Sequence, residues 1–346
     1  MSTIVQPFAH PLHSSIADRI DPEYEGFHNE KLLYHMHCHE VPWTPQIRSG
    51  PTVPGGSAPV KVGSVKDYST TLDRKPWLRV FTPEGEAPEG GWPAFVFYHG
   101  GGWTLGSIDS ENSFSSQICK GAKTVVISVD YRLAPEYPYP AAVEDTIESL
   151  LWVYKEGPEL LGISPSRIAI GGSSSGGNLA AVAALKAPTL DPAVPLAFQL
   201  LIVPVTDNTA SPTDQRYASW KENEHTTWLP AARMIWFQDQ YLPNVADRVR
   251  WDNSPLLAPD DLFTKSPPTW IAVAELDVLR DEALAYGEKV RAAGVPCEWK
   301  VYKGCPHPIM AMDGKLRRVC VGLLLIWDAH DCAGPMQQMP LTLGNR

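Results

Sequence analysis

The sequence predicts an α/β fold: a mostly parallel central sheet, helices on both faces, and a helical cap. Three observations point there. From residue 93 onward, short apolar strands alternate with helical stretches, which is how a parallel sheet reads in sequence. One strand, 168–172, runs directly into a Gly/Ser-rich turn and then a helix-forming stretch. More than sixty residues without a strand separate 198–205 from 269–275, too many for a simple crossover, so an insertion is expected there.

The elements follow in chain order. Residues 1–60 show no strong period and end in the Pro/Gly/Ser-rich stretch RSGPTVPGGSAP. They are read as an N-terminal cap segment. VKDYSTTL (65–72) and WLRVFTP (77–83) alternate in polarity and predict two antiparallel strands. Apolar strands are expected at 93–99, 124–130, 168–172, 198–205, 269–275 and 298–304. Helices are expected near 111–121, 140–156, 176–187, 281–293 and 313–331. The insertion, 208–258, looks helical over 230–242. The chain is therefore divided into a cap segment 1–60, core 61–207, cap insertion 208–258, core 259–332 and a tail 333–346.

Composition narrows the function. Of 346 residues, 44% are hydrophobic and 20% charged, ample for a packed core. The net charge is −10, so phosphate backbones and anionic lipid repel the chain; neither nucleic-acid binding nor stable membrane association is expected. The longest apolar run, 319–327, is about half the ~20 residues of a membrane span. The N-terminus has no basic start followed by an apolar stretch, so no secretory leader is expected. Six cysteines (Cys38, Cys119, Cys297, Cys305, Cys320 and Cys332) form no CxxC pair and read as buried, reduced thiols of a cytoplasmic protein.

The chemistry centres on IAIGGSSSGGNLA, residues 168–180. A β-branched strand enters Gly172-Ser173-Ser174-Ser175-Gly176 and leaves as a helix, the strand–turn–helix context of a G-x-S-x-G nucleophile elbow. The turn is so tight that side chains at Gly172 and Gly176 would strike neighbouring backbone. Ser174 is thrust out at a helix N-terminus, where the helix dipole favours developing negative charge. The second signal is His99-Gly100-Gly101-Gly102-Trp103, directly after an apolar strand. Three glycines let the backbone turn N–H groups toward a cavity, as an oxyanion hole requires. No Gly-Lys-Ser/Thr follows, so this is not a Walker phosphate loop. Cys305, two residues before His307, is a weaker alternative nucleophile.

Together these segments resemble the hormone-sensitive-lipase-like branch of the α/β-hydrolases. His99–Trp103 is similar to its HGGG motif, 130–136 (DYRLAPE) to its DYRLAPE segment, and 139–142 (YPAA) to the helix start after it. Residues 172–177 are similar to its G-D-S-A-G-G elbow, 274–281 (AELDVLRD) to its acid-bearing segment, and 304–307 (GCPH) to its histidine segment. The likeness covers roughly 64–330. It implies an α/β-hydrolase fold and a serine carboxylesterase with Ser174 as nucleophile, His307 as base and Asp277 as its orienting acid. The order Ser174, Asp277, His307 is the chain order of this fold. Backbone N–H groups of Gly101, Gly102 and Ser175 are the implied oxyanion donors. No metal or organic cofactor is implied. The partner is a small-molecule ester; an amide or lactone would use the same chemistry. The family also contains ligand-binding receptors that lack the histidine, which is present here as His307. A homodimer through the edge strand 298–304 is a further implication.

Several positions depart from the pattern. Ser173 stands where the family usually has Asp, and Ser175 where it has Ala. Pro308 follows His307, fixing its own φ and biasing His307 toward extended backbone. Asp277 lies just past an apolar strand, at the carboxyl edge where such sheets place their sites. Asp281 is the expected N-cap of the helix that follows. Arg132 and Glu136 are expected to tie down their loop by ion pairing, and Tyr131 to line the site. His35, His37 and His39 alternate beside Cys38 and Glu40; on a strand the three imidazoles would share a face and offer a zinc or copper site. On a helix only His35 and His39 would be neighbours.

The two cap segments hold Phe27, Tyr34, Trp43, Trp220, Trp228, Trp236, Phe237, Tyr241 and Trp251. A roof this aromatic predicts flat apolar walls suited to compact or aromatic esters with short acyl chains.

Overall fold

The computed structural model describes residues 9–49, 56–70 and 77–308. The expected helix 313–331, the tail, Cys320, Cys332 and the end of the strand expected at 65–72 lie outside these described residues.

Eight strands form one sheet in the order β1-β2-β4-β3-β5-β6-β7-β8. They are β1 (Ser64–Ser69), β2 (Trp77–Thr82), β3 (Trp92–Tyr98), β4 (Val125–Asp130), β5 (Ile163–Ser173), β6 (Leu196–Ile202), β7 (Thr269–Leu276) and β8 (Cys297–Pro306). Strand β2 runs antiparallel to both β1 and β4. Every other pairing is parallel. The parallel strands read as continuous apolar runs because both faces are covered. In β3, Ala94, Val96 and Tyr98 enter one core cluster, while Phe95 and Phe97 enter the other.

The first core packs α4 (Ala141–Leu161), α5 (Ser175–Lys186) and α9 (Arg280–Ala292) against the sheet. The second packs α3 (Asn112–Ala122) together with Ile20, Tyr24, Phe27 and Leu32 of the N-terminal segment, which holds the short helices α1 (Ser14–Ala17) and α2 (Pro22–Phe27). Thus part of the segment read as cap flanks the sheet. The insertion carries α6 (Ser219–Glu222) and α7 (Ala231–Tyr241), and α8 (Asp260–Phe263) leads back to the sheet. Among the described residues, no helix is long and apolar enough to cross a membrane.

Three boundaries differ from expectation for local reasons. Helix α4 runs past 156 and through Pro158, ending where Gly162 supplies a left-handed cap at φ 65°. Strand β6 stops at Ile202 because Val203 turns to φ 41° and Pro204 has no N–H to offer a ladder. Asp281 is not an N-cap. The cap position is Leu279, and Asp281 lies inside the first turn of α9, accepting the N–H of Ser219 at 2.8 Å.

Candidate active site

Strand β5 delivers Ser174 to the carboxyl edge of the sheet. Ser174 adopts φ 55°, ψ −116°, a conformation that costs a non-glycine residue on the order of 1–3 kcal/mol and persists only where its surroundings enforce it. The surroundings here are backbone. A methyl group on Gly176 would lie 1.9 Å from the Tyr98 carbonyl oxygen, and one on Gly172 would lie 2.2 Å from that of Gly176. Only glycines fit, and the hydroxyl between them stands at the start of α5.

Ser174, His307 and Asp277 come together. Nε2 of His307 lies 2.9 Å from Ser174 Oγ, and Nδ1 lies 2.6 Å from Asp277 Oδ2. With its proton on Nδ1, the imidazole donates to Asp277 and leaves Nε2 to accept the serine hydroxyl. All three side chains are buried, which strengthens each of these contacts. Pro308 leaves the imidazole within reach of both partners. Asp277 is fixed in turn: its Oδ1 accepts the Leu279 N–H at 3.1 Å. Residues between β6 and β7 clamp the surrounding loop. Ser219 Oγ donates to the Val278 carbonyl at 2.7 Å, and Asn223 Nδ2 donates to that of Asp277 at 2.9 Å. Thr226 Oγ1 donates to the Leu276 carbonyl at 2.5 Å. Sequence reasoning missed these three positioning residues, because nothing in their spacing marks them.

The loop after β3 places Gly101 at φ 123° and Gly102 at φ 60°. Among the described residues, no backbone carbonyl takes up the N–H of either. Ser175 opens α5, so its N–H has no carbonyl one turn earlier in the helix. The loop is braced on three sides. Tyr131 Oη donates to the His99 carbonyl at 2.8 Å, and its ring stacks on the imidazole at 4.3 Å. Tyr131 therefore supports the loop from beneath. Arg48 Nε donates to the Thr104 carbonyl at 2.8 Å, and Arg48 also pairs with Glu136 at 2.5 Å. Trp103 is buried and stacks on Tyr241 at 4.4 Å. Arg132 pairs with Asp145 at 2.8 Å and Glu144 at 3.1 Å, so Arg132 and Glu136 are each tied down by partners of their own rather than by one another.

Glu111, just before α3, also went unrecognised in the sequence. Burial pushes its carboxyl up to about 7, against the opposing pull of the Gly100 N–H and the Ser173 hydroxyl. A carboxyl group thus sits beside the elbow, next to Ser173.

A cavity of about 1040 Å³ is lined by Ser174, His307, Gly101 and Gly102. Of the nine cap aromatics, Tyr34, Trp228 and Phe237 line it. The others pack elsewhere: Phe27 lies in the second core cluster, Trp220 Nε1 donates to Glu282 of α9 at 3.1 Å, and Trp43 packs on Trp236 at 6.0 Å. Cys305 is buried in the second core cluster with Tyr302.

The three alternating histidines do not form a strand face, because residues Cys38–Glu40 make a turn of 3-10 helix. His35 lies against Trp228, at 5.4 Å, while His37 stacks on His10 at 3.8 Å. Three ligand atoms, from His10, His37 and Glu40, come within 4.8 Å of one another. The two rings lie 14° from parallel, and Glu40 stands 3.5 Å from His10 and 3.8 Å from His37, a different trio from the alternating one.

Comparison with known proteins agrees with this architecture. Residues 95–311 match the family described as alpha/beta hydrolase fold. An AB hydrolase superfamily protein of Schizosaccharomyces pombe is 46% identical over 89% of this chain and 92% of its own length. Carboxylesterase NlhH of Mycobacterium tuberculosis is 40% identical over 60% of this chain, which spans 63% of NlhH. Among solved structures, a thermostable esterase from Pseudomonas putida superposes with a TM-score of 0.77 at 29% identity, covering 89% of this chain and 95% of that one. With its sheet order, its elbow and these matches, the chain belongs to the α/β-hydrolase fold family, in the hormone-sensitive-lipase-like branch.

Proposed function

We propose that this protein is a serine carboxylesterase acting on small esters through an acyl-enzyme. The observation that carries the reading is the hydrogen-bonded chain from Ser174 through His307 to Asp277, at 2.9 and 2.6 Å, at the wall of a cavity. Ser174 Oγ attacks the ester carbonyl carbon while His307 Nε2 takes the hydroxyl proton. Asp277 holds the imidazole tautomer and stabilises the imidazolium. The tetrahedral oxyanion is held by the N–H groups of Gly101, Gly102 and Ser175, each such donor being worth ~2.7–4 kcal/mol. The imidazolium protonates the leaving alcohol. Water, deprotonated by His307, then releases the acid and restores Ser174. Esterase names among the relatives support the reaction class.

The aromatic walls contributed by Tyr34, Trp228 and Phe237 support a preference for short acyl chains, roughly two to six carbons, over long triglycerides. Buried thiols at Cys38, Cys119, Cys297 and Cys305 fit a reducing, cytoplasmic setting. The test is hydrolysis of ethyl esters of graded acyl length. Turnover that peaks at short acyl chains, and is lost in Ser174→Ala, supports the reading. Faster turnover of an emulsified triglyceride overturns the preference, and full activity in Ser174→Ala overturns the mechanism.

A further inference from the structure

We propose that Arg233 binds a carboxylate carried by the substrate, so that the favoured esters are small, anionic ones with a carboxylate set about one aromatic ring's width from the scissile carbonyl. The inference rests on the esterase reading and names its substrate class.

Arg233 lies on α7 in the cap and lines the same cavity as Ser174 and His307, yet it is only 5% exposed. Its guanidinium lies over two aromatic rings, 5.0 Å from the Trp228 centroid and 5.7 Å from that of Phe237. Among the described residues one polar contact holds it: Nη1 donates to the Trp228 carbonyl at 2.7 Å. Its Nε is buried without a hydrogen-bond partner. Among the described residues, no carboxylate comes within ion-pair distance of it. A buried cation with no counter-charge is costly, and the usual remedy is an anion.

The other arginine at this cavity shows the contrast. Arg48 is spent on Glu136 and on the carbonyls of Thr104 and Ala134. Arg233 has no such commitment, and its charge reaches His35, His37 and His39. Arg233 thus brings a positive charge to this corner of the cavity, with Glu40 as the nearby carboxylate on the far side of His37 and His39. A planar guanidinium whose Nε is unpaired can fork onto a carboxylate, which an ammonium cannot.

Geometry sets the spacing to the reacting carbonyl. The Phe237 ring lies against Gly102, close enough that a methyl group there would come within 2.2 Å of it. Arg233 is one helical turn before Phe237 and stacks on the same ring. An ester carbonyl held at Gly102 and a carboxylate held at Arg233 are thus separated by one aromatic ring. The half-ester of a five-carbon diacid fits that span.

The experiment compares kcat/KM for monoethyl glutarate with ethyl valerate, its near-isosteric neutral counterpart, and for 4-acetoxybutyrate with butyl acetate. These pairs put the carboxylate on the acyl side and on the alcohol side. At least one anionic ester is expected to exceed its neutral counterpart by roughly ten- to a hundred-fold, the usual worth of a charge-assisted pair. In Arg233→Met that ratio falls at least about ten-fold, and Arg233→Lys recovers part of it. A wild-type ratio near or below one for both pairs overturns the proposal, as does an Arg233→Met variant that slows anionic and neutral esters equally. Calorimetric titration of glutarate keeps the two readings apart. If no ester is turned over, the esterase reading fails; glutarate binding that weakens at least about ten-fold in Arg233→Met still supports the carboxylate site. Binding unchanged by the substitution overturns it.

Discussion

The Phe237 ring of α7 lies directly against Gly102, so this helix touches the glycine loop that lines the cavity. Cap and loop cannot move independently. At Gly102 the backbone stands at φ 60°, and a methyl group would come within 2.2 Å of the ring. Gly102→Ala is therefore expected to rotate the loop out of register and lower kcat by about 10²–10³, the cost of losing one oxyanion donor. KM is expected to change much less. Steady-state kinetics on a short ethyl ester checks this.

Asp277 is expected to act through the tautomer of His307, to which it is bonded at 2.6 Å. An amide in its place presents either a donor or a weaker acceptor to Nδ1 and favours the wrong tautomer. Asp277→Asn is expected to fold normally and to lower kcat by about 10⁴. Circular dichroism and burst kinetics separate loss of chemistry from loss of structure.

Glu111 couples stability to pH. Burial raises its carboxyl to about 7 in the folded state, from an ordinary value of 4.5. Between those values the folded chain holds a proton that the unfolded chain has released, so stability falls as pH rises through this window. Above it, the folded state carries the full cost of a buried carboxylate, at most about 3 kcal/mol and less after solvent screening. Glu111→Gln removes the charge. Its Tm is expected to exceed that of the parent at pH 8, with the gap closing near pH 5. Calorimetric scans at both values check the sign.

The sheet was legible because its central strands are apolar on both faces, and the elbow because no side chain fits at Gly172 or Gly176. That His307 and Asp277 would meet Ser174 was expected from the resemblance of 274–281 and 304–307 to family segments, and the structure brings the three side chains within hydrogen-bond reach. The clamp by Ser219, Asn223 and Thr226 was not. Those side chains act on backbone carbonyls fifty or more residues away, and such contacts leave no local period. Asp281 misled for a related reason. A carboxylate at a helix start looks like a cap, but this one is drawn to the N–H of Ser219 in the cap insertion. The histidine alternation at 35–39 was a true pattern in sequence that a single 3-10 turn dissolves in space.

The central claim is that Ser174 is the nucleophile, and a covalent label tests it most directly. Diethyl p-nitrophenyl phosphate phosphorylates an activated serine and releases nitrophenolate. Mass spectrometry of the labelled protein is expected to find one diethylphosphoryl group per chain, on the peptide containing Ser174, and none in Ser174→Ala. A label on Ser173, Ser175 or Cys305, or undiminished labelling of Ser174→Ala, would contradict the account.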